Sequence, residues 1–379
     1  MVFLSISCFL YSLCYFLIRN IISILLGNII NIDNISGNIA NLTFIGAIFN
    51  ITYAILQPIN GLLIEKMGLR IIGVSSFFSS IILFFFKIKQ PLIFQYILPI
   101  FLGIFVSSGS LCVTSFCKKF FSASPFSIGA SRISLIFCSF SIMQFIKYLS
   151  IKGVAFNSII SVLQLTLFIT SILFFISKDS KMTLVSKSNI TNTNIKKFDV
   201  FFVLICISGI FSSFAFFFFN NGFLKLLISN NNDLMNFLSY LTAGFGFGNI
   251  FIISSEYFDF KRILKFLICL QIISLVNFFY LFMPLQISCF FIGASYAGHL
   301  LPIPYIAKHY KHPIFFSGLF NSFIMLFSSF FLIMLASIYI QIFGESLENF
   351  YFLIKLIISL NIVNLFLLFN ISYFYKNNI

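Results

Sequence analysis

The sequence predicts an all-α integral membrane protein of about twelve transmembrane helices, arranged as two six-helix halves. Three observations carry that prediction: the composition, a row of apolar runs, and one polar stretch near the middle. The chain has 379 residues, of which 60% are hydrophobic and 8% charged, with a mean hydropathy of +1.08. A soluble domain carries about a quarter charged residues. So little polar material cannot cover a water-facing surface, and a bilayer is the solvent that suits it.

A spanning helix needs about 20 mostly apolar residues. Runs of that kind fall at 2–27, 38–63, 71–89, 92–115, 126–148 and 154–177, and again at 198–221, 234–254, 263–282, 284–306, 315–342 and 349–373. Tight breaks at Gln90-Pro91 and Met283-Pro284 separate two adjacent pairs. The polar stretch 178–197, with Lys178, Lys181, Lys187, Lys196 and Lys197 among Ser, Asn and Thr, divides six runs from six. The expected organisation is an N-terminal half over 1–177, a cytoplasmic linker over 178–197 and a C-terminal half over 198–379. Two halves joined this way are a common transporter layout.

The first run lacks a basic leader and continues past Arg19 to Gly27. That length suits an uncleaved first span better than a signal peptide. The 59 Phe residues with no Trp read as interchangeable lipid-facing bulk, as an AT-biased coding sequence would supply. The net charge of +14 comes from basic residues scattered singly between apolar runs. No basic block exists on which a phosphate backbone could lie, so nucleic acid is not an expected partner. Eight Cys residues show no CxxC spacing; neither a metal site nor a disulfide framework is expected.

Orientation follows from the loops. With the N-terminus inside, one side holds Lys66, Arg70, Lys118, Lys119, the five linker lysines, Lys261, Arg262, Lys265, Lys308, Lys311 and Lys376. The other side holds Lys87, Lys89, Lys147, Lys152, Lys225 and Lys355. The excess places both termini in the cytoplasm.

Between the second and third runs stands Gly61-Leu-Leu-Ile-Glu-Lys-Met-Gly-Leu-Arg70. Gly61 would let a helix end pack close to a neighbour, and Gly68 would permit a tight turn. Glu65 would pair with a base or cap a helix N-terminus, where negative charge is favoured. This loop resembles the G-x-L-x-D-[RK]-x-G-[RK]-[RK] signature of the major facilitator superfamily. Gly61, Leu63, Lys66, Gly68 and Arg70 match; Glu65 replaces the usual Asp, and Leu69 one usual base. The resemblance implies that Gly61, Glu65, Lys66, Gly68 and Arg70 form a latch between the halves. A degenerate echo follows the eighth run at Gly248, Glu256, Asp259, Lys261 and Arg262; Glu256 and Arg262 are the expected gating partners in the second half. Softer similarity to bacterial carriers of small organic or phosphorylated anions lies in Tyr11-x3-Tyr15-Phe16-x2-Arg19, Tyr53-x3-Gln57-Pro58, Lys118-Lys119-Phe120-Phe121, and Gly293 to His299 with Asn321. It implies a monomer in the bacterial plasma membrane whose partners are the lipid bilayer and a small solute.

A charge inside a span costs several kcal/mol and is a functional candidate by default. Arg19 shares one helix face with Tyr11 and Tyr15, and a guanidinium offers fixed bidentate donors to carboxylate or phosphate. In this family the first, fourth, seventh and tenth spans line the central cavity. The resemblance therefore nominates Tyr11, Tyr15 and Arg19, with Asn220 on the seventh span and Tyr296 and His299 on the tenth, as substrate contacts. Arg132, near the start of the fifth run, is expected to snorkel or to meet a loop acid. Gln57 is expected to bond a neighbouring helix. His299 could shuttle a proton, though a lone histidine more often bonds a neighbour.

All nine acids fall in loops or at helix ends. That disfavours drug-cation antiport and carboxylate-based proton symport. The expected function is a transporter of a small, anionic organic solute working by alternating access, without cofactor or metal. A polytopic membrane enzyme needs a cluster of acids and bases at a membrane surface, and no loop gathers one; an enzyme is not expected. A non-transporting receptor of the same fold is the other alternative, separated from a carrier by solute flux.

Overall fold

The computed structural model describes residues 2–29, 39–85, 92–121, 124–152, 156–177, 200–220, 227, 231–310, 312–330, 335–344 and 346–376. The polar stretch 178–197 lies outside them. Among the described residues, ten helices are long and apolar enough to cross a bilayer, and two shorter apolar helices, Val2–Ile18 and Ile71–Phe85, complete the set.

In the first half, α1 (Val2–Ile29), α2 (Ile39–Met67) and α3 (Ile71–Phe85) are followed by a broken fourth span, α4 (Leu92–Val106) and α5 (Gly109–Phe121). The fifth and sixth spans are α6 (Pro125–Ile151) and α7 (Phe156–Ile176). The second half opens with α8 (Val200–Asn220), then an eighth span made of α9 (Asn231–Gly248) and α10 (Ile250–Ser254), and α11 (Phe260–Tyr280). A tenth span joins α12 (Leu285–Tyr296) through a 3-10 turn (Ala297–Leu300) to α13 (Pro302–His309). The chain ends with α14 (Pro313–Phe327), α15 (Leu335–Phe343) and α16 (Leu347–Lys376).

These helices form because lipid offers no partner for backbone N–H and C=O groups, so each span must satisfy its own. The expected break at Gln90-Pro91 lies outside the described residues. The one at Met283-Pro284 is observed: Asn277 closes the α11–α12 corner by accepting from Met283 N and donating to Met283 O and Ser288 Oγ. Polar side chains within spans mostly bond the carbonyl one turn back, as Ser115 does to Leu111 O and Thr170 to Thr166 O.

Phenylalanine is not uniform bulk. Phe77, Phe168, Phe266 and Phe366 are exposed as expected, but Phe216, Phe217, Phe218 and Phe219 are all buried. α8 packs against α9, α11, α12, α14 and α16, so every face of its Phe run meets protein rather than lipid.

The halves meet through two similar contacts, α2 on α14 and α6 on α9–α10. Lipid tails are as apolar as leucine, so helix association in a bilayer relies on close packing and polar bonds. Small residues supply the closeness. A Cβ at Gly61 would stand 2.9 Å from Ile314 O, and one at Gly318 2.8 Å from Gln57 O. In the other contact, a Cβ at Gly129 would stand 2.6 Å from Ile253 Cγ1 and 3.2 Å from Asn249 O. Substituting Gly318→Leu should force α14 off α2 and cost about 1–3 kcal/mol as overpacking, read as a lower Tm of the purified protein. An unchanged Tm would show that the two halves do not depend on this contact.

Candidate functional site

At the centre of the molecule lies a small cavity of about 10 Å³, lined by both halves. That is room for about one water, so the halves are closed around the site in this conformation. Its first-half wall comprises Tyr15 and Phe16 of α1, Ser110, Leu111 and Thr114 of α5, and Arg132 of α6. Phe245 of α9, His299 and Leu300 of the 3-10 turn, Ile303 of α13, and Ser317 and Asn321 of α14 form the opposite wall. The cavity sits where three spans are interrupted: before Gly109, after Gly248 and at Ala297–Leu300. Interrupted helices at a repeat interface are the usual construction of a transport site.

Arg132 is the central group. It is 3% exposed, its Nε is buried without a hydrogen-bond partner, and no carboxylate among the described residues pairs with it. The expected snorkelling does not occur, because α6 turns this side chain inward, towards the other half. An uncompensated buried cation costs several kcal/mol.

A chain of hydrogen bonds supports the Arg132 wall. Asn321 Nδ2 donates to Gln57 Oε1 at 2.7 Å, crossing between the halves. Gln57 Nε2 donates to Tyr53 Oη at 2.6 Å and to Ser110 Oγ at 2.7 Å. Tyr53 Oη donates to Tyr15 Oη at 2.7 Å, and the two rings stack with centroids 5.5 Å apart. Asn321, Ser110 and Tyr15 all line the cavity, so the bond between the halves and the site share side chains. The oxygen of Ser317, also on the wall, is buried without a partner.

The nominated residues separate accordingly. Tyr15 and His299 line the cavity, whereas Tyr11 does not: its hydroxyl bonds Phe105 O at 2.8 Å and Ser108 Oγ at 2.7 Å. Tyr296 is fully buried behind His299, with Phe216 stacked on it at 3.9 Å between centroids and the imidazole at 4.0 Å. His299 Nδ1 donates to the Tyr296 carbonyl. Asn220 is buried at the end of α8, away from the cavity wall. Arg19 falls on α1, but its side chain lies outside the described residues.

On one face of the molecule the Gly61–Arg70 loop meets α14. Glu65 Oε1 accepts from Ile314 N at 2.8 Å and Phe315 N at 3.4 Å, in the first turn of α14. His312 Nδ1 stands 3.1 Å from Glu65 Oε2, and Lys118 is near enough to feel the Glu65 charge. Gly68 has φ +84°, a conformation that favours glycine. Arg70 donates twice to Ser177 O, at 3.0 and 2.8 Å, and so closes the end of α7. Lys66 is exposed, and Leu69 is wholly buried, which accounts for an apolar residue there. The second-half echo is built differently. Glu256 is exposed in a turn, and Asp259 caps its own helix, α11, by accepting from Lys261 N at 3.1 Å. Glu256 and Arg262 therefore make no bond equivalent to that of Glu65.

A crystal structure of a point mutant of the nucleoside transporter NupG is similar to this chain, with a TM-score of 0.67, 13% identity, and coverage of 97% of this chain and 99% of that one. The likeness extends over nearly the whole of both chains, so the two share a fold. No protein-family model matches the sequence, and no curated protein matches it.

Two outcomes follow. Glu65→Gln keeps an acceptor but loses the charge that favours a helix N-terminus, while Glu65→Ala loses both; caps are worth about 1 kcal/mol and the charge about 0.3–1 kcal/mol. The order of Tm should be wild type, then Gln, then Ala, and an Ala variant as stable as wild type would remove Glu65 from the contact. For the second, a double-mutant cycle of Gln57→Leu and Asn321→Leu should return a coupling of about 0.6 kcal/mol or more, whereas additive effects would show that the two amides do not support each other.

Proposed function

We propose that this protein is a membrane transporter that moves a small anionic organic solute by alternating access, with Arg132 holding the anionic group. The observation that carries the reading is the unpaired guanidinium of Arg132 in a cavity walled by both halves. Charge-assisted hydrogen bonds to a carboxylate or phosphate suit that group. Tyr15, Ser110, Ser317, Asn321 and His299 supply further polar contacts. Arg19, one turn beyond Tyr15 on α1, is a second proposed anion contact, reached when the halves part. Gly61, Glu65, Lys66, Gly68 and Arg70 serve as the latch, and the excess of basic residues on their face supports a cytoplasmic placement. Closure there, with the cavity shut, fits an occluded conformer in a cycle of rocking halves.

A neutral nucleoside is the second reading. It is supported by the similarity to a nucleoside transporter and by the rings of Phe245 and His299 on the cavity wall.

Thermal unfolding of the purified full-length protein with succinate, phosphate, glycerol 3-phosphate, uridine, amino acids, sugars and organic cations separates the readings. A ligand at about 100 Kd adds roughly 2.7 kcal/mol to the folded state. Anions should raise Tm, and Arg132→Met should abolish that rise. The same substitution should raise the stability of the ligand-free protein, because it removes a buried unpaired charge. Stabilisation by uridine alone, with a less stable Arg132→Met variant, would assign Arg132 to structure and overturn the anionic reading. Flux of the stabilising solute into liposomes then distinguishes a carrier from a receptor of the same fold.

A further inference from the structure

The two walls of the cavity differ in chemical kind. The Arg132 wall offers a fixed cation and hydroxyls. Facing it, Phe245 and His299 present rings inclined by 23° to one another, with centroids 6.3 Å apart. Behind them Tyr296 is held between Phe216, at 3.9 Å and 8°, and His299, at 4.0 Å and 30°. Phe245 in turn touches Phe16 at 6.3 Å and Tyr296 at 4.9 Å. Packing alone would be served as well by leucine or isoleucine, which line most of the remaining core. A supported stack that ends on the cavity at His299, with Phe245 beside it, is a surface for another flat ring, since aromatic pairs favour offset-stacked and edge-on contacts.

The distance between the walls is short. Arg132, Phe245 and His299 line the same small cavity, so a cation and an aromatic surface lie within one small molecule of each other. Because the closed cavity holds about one water, the halves must part slightly to admit a single ring, and a long spacer has no room.

We infer that the solute is a single-ring aromatic or heteroaromatic anion whose acidic group is attached directly to the ring, with the oxyanion on Arg132 and the ring on Phe245 and His299. This rests on the anion-transporter reading and narrows its substrate class. Aliphatic anions of equal charge and volume then bind through Arg132 alone.

Three probes of matched size test the inference by thermal shift and equilibrium binding on the full-length protein: benzoate, cyclohexanecarboxylate and benzamide. Benzoate should bind at least tenfold more tightly than cyclohexanecarboxylate. In Phe245→Leu that preference should fall below threefold, while Phe245→Tyr, which keeps a ring, should retain it. Unfolding of each ligand-free variant shows whether its site is folded, and the Tyr variant serves if the Leu variant is not. Equal binding of the two acids would overturn the aromatic inference and leave the anion reading standing. Binding of benzamide without benzoate would overturn both. If neither acid binds, the aromatic inference falls, and the succinate and phosphate results decide the broader reading.

Discussion

In a bilayer, apolar surface gives two helical halves no reason to prefer each other over lipid. The architecture depends on how this molecule meets that constraint. Gly61 and Gly318 bring α2 and α14 to backbone contact, and Gly129 does the same between α6 and α10. Polar bonds are then added where the backbones are close: the Glu65 carboxylate on the first turn of α14, and Asn321 on Gln57 deeper in the membrane. These contacts hold the walls of the central cavity in register. They are also few and individually modest, so the halves can part without unfolding either one.

The polar content of the interior is arranged on the same economy. Most serines and threonines return a bond to their own helix, and Asn277 spends its amide on a corner. Arg132 is the exception: a permanent cation, inside the membrane, without a bonded carboxylate. A sequence under selection for stability alone would replace it with methionine or leucine, since an unpaired buried charge is the least favourable group a core can hold. Arg132 shares the cavity wall with Asn321 and Ser110, which belong to the hydrogen-bond chain that runs through Gln57 and Tyr53 to Tyr15.

The fold was legible because a bilayer constrains sequence so heavily: spans must be apolar and of about twenty residues, and the break at Pro284 stands where a turn falls. The Glu65 contact was legible for a local reason, since glycine, acid and base lie within ten residues. The site was harder to read. α6 carries serines and apolar residues on all its faces, so no periodicity marks the side that meets the other half, and Arg132 looked like a snorkelling residue near a helix start. Tyr11 and Tyr15 share a face, yet one turn of helix is enough to separate a cavity residue from one bonded to Phe105 O and Ser108. The Phe216–Phe219 run has the composition of lipid-facing helix. Only the neighbours of α8 show that it is core, and which helices surround a span is not written in the span itself.

The pseudo-symmetry of the halves explains why the second signature differs from the first. Where Glu65 reaches across to α14, Asp259 turns back to cap α11, and Glu256 faces solvent. Only one of the two interfaces, α2–α14, is therefore closed by a carboxylate on a helix N-terminus. The α6–α10 contact relies on Gly129 and on packing, with its polar contribution withdrawn into the cavity as Arg132, three residues further along the same helix. One interface is closed by a carboxylate and the other carries a buried charge beside it.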